Sequence, residues 1–146
     1  MTIAFGSDHA AYNLKHELIR ISKERGFDTL SFGAEGPESC DYPDIAKEVI
    51  QALRNKEADL AVLCCGAGIG MSIAANRFEG IRAALCCTPE MALLARTHNS
   101  ANVLCLGERT LDLETNKSIF KTFIETNPSN VDRHIRRIMK IDSNCR

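Results

Sequence analysis

The sequence predicts a three-layer α/β sandwich built on a five-stranded parallel sheet. Three observations carry this reading. Short apolar runs alternate with amphipathic stretches from end to end, and glycine- or turn-rich segments separate them. One run, Leu60-Ala61-Val62-Leu63-Cys64, is apolar without a break, as a central strand covered on both faces must be. Successive strand–helix units need right-handed crossovers, which put helices on both faces of the sheet.

In order, residues 2–5 read as the first strand, and Leu14, Leu18 and Ile21 share one face of a helix ending before Gly26. A second strand spans 27–32, a turn-rich connection 33–43, and a helix about 44–54. The continuous apolar run is the third strand. Gly66-Ala67-Gly68-Ile69-Gly70 then leads into a helix-prone stretch, 71–77. Strands at 81–86 and 102–106 flank a helix at about 89–97. Helices at about 112–125 and 130–141 close the chain around Asn127-Pro128-Ser129. In the last helix Val131, Ile135, Ile138 and Ile141 recur at helical spacing and are expected to form its buried face.

A chain of 146 residues with 45% hydrophobic and 25% charged residues fits one globular domain, residues 1–146. Its net charge is −1, from 18 basic and 19 acidic residues, so no global field draws it to nucleic acid or an anionic membrane. The first residues, Met1-Thr2-Ile3-Ala4-Phe5-Gly6, lack the pattern of a signal peptide. The seven cysteines are odd in number, include the doublets Cys64-Cys65 and Cys86-Cys87, and contain no C-x-x-C spacing. A reducing cytoplasm, without disulfide staples or a zinc site, is expected.

Ligands of open parallel sheets bind beyond the carboxyl ends of the strands. The residues expected there are Ser7-Asp8-His9, Asp41-Tyr42, Cys65 with the glycines that follow it, Cys87-Thr88, and Gly107-Glu108-Arg109. The glycine segment lacks the lysine of a phosphate-binding G-x-x-x-x-G-K-[ST] loop, and its G-x-G-x-G spacing departs from the dinucleotide fingerprint. Its N–H groups at a helix start would instead favour a thiolate on Cys65, able to move a proton. Cys64, Cys86 and Cys105 read as small buried hydrophobes. Asp8 is a possible N-cap of the first helix. Asp8 and His98 join Cys65 as an acid/base set expected at one edge of the sheet. Arg133 and Arg137, four apart in the run Arg133-His134-Ile135-Arg136-Arg137, share a face of the last helix that could grip one phosphate or could be a solvated basic face, with Arg109 a further candidate ligand.

These segments, in order along nearly the whole chain, resemble ribose-5-phosphate isomerase type B. The resemblance is carried by Ser7-Asp8-His9-Ala10-Ala11, Asp41-Tyr42-Pro43, Cys65-Gly66-Ala67-Gly68-Ile69-Gly70-Met71-Ser72, Gly80-Ile81-Arg82-Ala83, His98-Asn99-Ser100 and Arg133-His134. It implies a Rossmann-like sheet and an aldose–ketose isomerase of the pentose phosphate pathway, working through a cis-enediolate without metal or cofactor. Cys65 would exchange the proton between C1 and C2, and His98, with Asp8 nearby, would open the furanose ring. The backbone of Gly66, Ala67, Gly68, Ile69 and Gly70, together with Asn99, would hold the enediolate. Arg109, Arg133, Arg137 and His9 would bind phosphate, and Tyr42 and Ser72 complete the substrate-binding set. The resemblance also implies a homodimer or a dimer of dimers, with the last helix serving a neighbour's site. Ala67 stands where many relatives carry threonine or serine, which keeps six-carbon sugar phosphates such as allose 6-phosphate open as substrates. A non-catalytic sugar-phosphate binding module is the alternative of another class.

Overall fold

The computed structural model describes residues 1–144. Strands β1 (Thr2–Ser7), β2 (Asp28–Gly33), β3 (Leu60–Cys65), β4 (Ala83–Leu85) and β5 (Val103–Gly107) form one parallel sheet in the order β2-β1-β3-β5-β4. Helices α1 (Tyr12–Glu24), α2 (Tyr42–Arg54), α3 (Ile69–Ala75), α4 (Pro89–Asn99), α5 (Leu113–Glu125) and α6 (Asp132–Ser143) complete the chain.

Alternation along the strands sorts the core into two halves. Phe5, Val62, Cys64, Leu104 and Leu106 face α1, α4 and α5, where they meet Leu14, Leu18, Ala92 and Phe120. Ala61, Leu63, Cys65 and Cys105 face α2 and α3, against Ile45, Val49 and Met71. Each large side chain so buried contributes about 1.5–3 kcal/mol before entropy is counted. Every residue of β3 is buried, as its unbroken apolar run requires.

Most differences from the expected elements are at their ends. Strand β1 runs on to Ser7 and β3 to Cys65, because pairing of Ser7 with Cys64 and of Cys65 with Gly107 keeps them in the ladder. Strand β4 shortens to Ala83–Leu85, the residues in register with Val103–Cys105 of β5. Helix α3 begins at Ile69, inside the glycine segment. Asp8 is not the cap of α1: the N-cap is Ala11, without a side-chain bond. The free Leu14 N–H donates instead to the Glu108 carboxylate at 2.9 Å. The expected buried face of α6 is also corrected, since Val131, Ile135 and Ile141 are exposed and His134 is the buried residue. Helix α6 lies outside the sandwich, where the sheet offers it no apolar surface. Among the described residues no helix is long and apolar enough to cross a membrane.

Candidate active site

Strand order reverses between β1 and β3: the chain passes from β1 outward to β2, then crosses back to β3. The crevice at their carboxyl ends is the place where such a sheet leaves room for a ligand. Ser7 and Cys64 are paired there, so the residues that follow each strand meet.

Cys65, the last residue of β3, is only 6% exposed, and its Sγ accepts a hydrogen bond from the Gly68 N–H at 3.0 Å. Gly68 has φ +76°, and a Cβ there would fall 2.6 Å from Leu85 Cδ1 and 3.0 Å from the Leu106 carbonyl carbon. Only glycine turns the chain so tightly without strain. The other cysteines differ from Cys65. Burial pushes the Cys64 and Cys105 thiols far up, and moves Cys86 up to about 11. These three behave as apolar filling. Cys40, Cys64, Cys65, Cys86, Cys87 and Cys105 are free thiols; Cys145 lies outside the described residues.

Asp8 is buried to 7% exposure, and its Oδ1 accepts from the Ala10 N–H at 2.9 Å, closing the turn that carries His9. His9 accepts the Cys40 N–H on Nδ1 at 3.4 Å, tying the β1 exit to the loop before α2. Lys15, fully buried in α1, holds the start of that loop through the carbonyls of Phe32 and Ala34 and the carboxylate of Glu35. Tyr42, the first residue of α2, lays its ring over the start of α3; a Cβ on Gly70 would sit 2.6 Å from Tyr42 Cζ. The β5 exit closes the other side, with Arg109 N–H donating to the Gly66 carbonyl at 2.9 Å and Glu108 N–H to that of Cys65 at 3.0 Å. The Arg109 side chain lies along Gly66. Ala67 is half-buried, Ile69 is exposed, and the Ser72 hydroxyl donates back to the Ile69 carbonyl at 2.9 Å.

His98 and Asn99 do not reach this crevice within one chain. Helix α4 runs antiparallel to the strands and so ends at their amino edge. There Asn102 accepts the Ala61 N–H, and Arg82 donates to the Asn99 carbonyl at 3.0 Å. Ala61 and Cys65 are four strand residues apart, about 13 Å along the sheet. The expected acid/base set is therefore split: Asp8 and Cys65 at one edge, His98 at the other. Arg133 and Arg137 belong with His98, because α6 packs on the end of α4. The rings of His98 and His134 stack with centroids 4.3 Å apart and planes 11° from parallel. Burial, then His98, Arg133 and Arg137, hold the His134 pKa below its ordinary value.

Sequence reasoning assigned no role to His134, Lys15 or Glu108. His134 entered the sequence reading only within the Arg133-His134 match, and the packing of α6 on α4 gives it its contact with His98. Lys15 was detectable as a cation next to Leu14 and Leu18 on an apolar face. Glu108 was placed at the exit of the fifth strand, but its bond to the Leu14 N–H had no local signal, since the two lie 94 residues apart in sequence.

Residues 3–141 match the family described as Ribose/Galactose Isomerase. The chain is 44% identical over 122 residues to the ribose-5-phosphate isomerase B of Escherichia coli strain K12, covering 84% of this chain and 82% of that one. A solved ribose-5-phosphate isomerase B from Clostridium thermocellum matches with a TM-score of 0.95 and 43% identity, over 98% of this chain and 96% of the other. The Thermotoga maritima ribose 5-phosphate isomerase matches with a TM-score of 0.93 and 49% identity, over 97% of each chain. Sequence, fold and topology agree, and the chain belongs to the Ribose/Galactose Isomerase family.

Proposed function

We propose that this chain interconverts ribose 5-phosphate and ribulose 5-phosphate through a cis-enediolate, in a site shared between two copies. The observation that carries the reading is the hydrogen bond from Gly68 N–H to Cys65 Sγ in the switch-point crevice. A thiolate so held takes the proton from C2 of the open-chain aldose and returns it to C1. Negative charge then develops on the oxygens, where the N–H groups of residues 66–70 act as fixed donors; one such donor contributes about 3–4 kcal/mol in comparable sites.

The remaining groups come from the second copy. Its α4 end supplies His98 for ring opening and Asn99 for the enediolate, and its α6 supplies Arg133 and Arg137 for phosphate. Arg109 and His9 of the first copy meet that phosphate from the other side, His9 through Nε2, since Nδ1 is occupied by Cys40. Uncovered apolar surface supports this pairing: Ile69 and Ile73 beside the cysteine loop are 54% and 59% exposed, and Ile135 and Met139 on α6 are 42% and 66% exposed. A two-fold arrangement that completes one crevice completes both. A place in the pentose phosphate pathway and a cytoplasm that keeps thiols reduced suit a cysteine base.

Ribose 5-phosphate in heavy water, followed by NMR with the parent and Cys65→Ala side by side, tests the reading. Deuterium at C2 and ribulose 5-phosphate, both absent with the variant, are the expected result. A parent that does neither overturns it. Ala67 favours a second substrate class, since its methyl offers no hydrogen bond and leaves space for a longer sugar. Allose 6-phosphate in the same assay separates the two.

A further inference from the structure

The amino-edge cluster is mostly exposed. His98, Asn99, Arg133 and Arg137 all face solvent in the single chain. His134 does not: it is 4% exposed, and its ring lies flat on that of His98. An exposed histidine in the last turn of a helix ordinarily samples several rotamers, and fixing one costs entropy each time substrate binds. A parallel ring at 4.3 Å restricts that sampling before substrate arrives.

Helix α6, which carries His134, is held at both ends. Near its start the Ser129 N–H donates to the Thr97 carbonyl at 3.2 Å, beside His98. Near its end Asp142 accepts from Arg82 Nη1 on both oxygens, at 3.0 and 2.8 Å. The same guanidinium donates through Nε to the carbonyls of Asn99 and Ser100, where α4 ends in a left-handed turn with Ser100 φ at 47°. Arg82 thereby locks the carrier of His134 to the carrier of His98.

We propose that His134 is the positioning residue for His98, setting the plane of its imidazole for opening the sugar ring. The proposal rests on the isomerase reading above. In ring opening the bond between C1 and the ring oxygen breaks, the C1 hydroxyl gives up its proton, and the ring oxygen takes one up. No electron leaves or enters. An imidazole exchanges such protons effectively only when it is held in line with them.

The chemistry supplies a way to isolate this step. Ribulose 5-phosphate cannot close a five-membered ring, because its C5 oxygen carries the phosphate. Proton exchange at its C1 therefore needs Cys65 but no ring opening. With His134→Leu, which fills space without a flat ring, conversion of ribose 5-phosphate is expected to slow by about tenfold or more. Exchange at C1 of ribulose 5-phosphate in heavy water should stay within about twofold of the parent. His134→Phe, which restores a flat ring, should recover most of the loss. His134→Gln is the second unstacked variant, should leucine prevent folding. Parallel loss of both reactions would make His134 a structural residue only and overturn the proposal, as would no loss in either. A parent inactive in both reactions would instead sink the isomerase reading.

Discussion

Gly68 donates its N–H to the thiol of Cys65 at 3.0 Å, and it reaches that position only through a φ of +76°. The bond closes a four-residue turn, 65–68, between the end of β3 and the start of α3, so any side chain at 68 disturbs base and turn together. Gly68→Ala is expected to cost about 1–2 kcal/mol from the left-handed backbone alone. The crowding against Leu85 and Leu106 adds to that. A lower Tm with a more than tenfold fall in kcat is the expected result; an alanine variant with parental kcat would remove the bond from the catalytic argument.

Neighbouring cysteines should behave in opposite ways. Cys65→Ala is expected to lower kcat by about 10²–10⁴ with little change in KM, as loss of a general base does. Cys64→Ala leaves a small void in a fully buried place and should reduce stability while kcat stays near that of the parent. Steady-state kinetics and thermal melts on both variants test the contrast. Equal kcat losses would mean that the strand end, rather than one thiol, is what matters.

The proposed sharing of each site between two copies makes a mixing prediction. Cys65→Ala and His98→Ala proteins are each expected to be nearly inactive. A mixed pair then holds one site with both defects and one with neither. Random exchange of subunits should restore about a quarter of the parental sites. Mixing after brief unfolding and refolding, followed by the isomerase assay, reads this directly. Failure to recover any activity would place both residues in the site of a single chain.

In the proposed site, phosphate gripped by arginine would be held before and during the reaction, so loss of an arginine should fall on binding. Arg137→Ala is expected to raise KM for ribose 5-phosphate by roughly 10–100-fold, the equivalent of one charged hydrogen-bonding partner. Its kcat should stay within a few-fold. An unchanged KM would return that face of α6 to plain solvation.

The docking of α6 should depend on pH. Burial, and then His98, Arg133 and Arg137 close by, hold the His134 pKa below its ordinary 6.5. Below 6.5 the unfolded chain therefore binds more protons than the folded one. Stability is full above 6.5 and is lost as the pH falls from there through the lowered folded value. Thermal melts of the parent between pH 7.5 and 5 should show this loss, and those of His134→Phe should show less of it. Parallel curves for the two proteins would assign the dependence to other groups.

Much of this molecule was legible in its sequence because the signals were local. The unbroken run ending at Cys64 identified the central strand, and the glycines after Cys65 identified a tight turn into a helix. Register, twist and close packing then had little choice but to put Asp8, His9 and Cys65 around one crevice. The edge reached by His98 was not legible. It depends on the direction in which α4 returns across the sheet, and a candidate set chosen by residue type carries no direction. The apolar period of α6 was likewise visible, but a period reveals a face and not what covers it. Local chemistry thus determined the strands, the turn and the candidate base. Only the tertiary structure decided that Glu108 caps α1 from 94 residues away, that His134 lies under His98, and that Cys65 and His98 stand at opposite ends of the sheet. The physical reason is that such relations are fixed by packing between distant segments, which no short window of sequence contains.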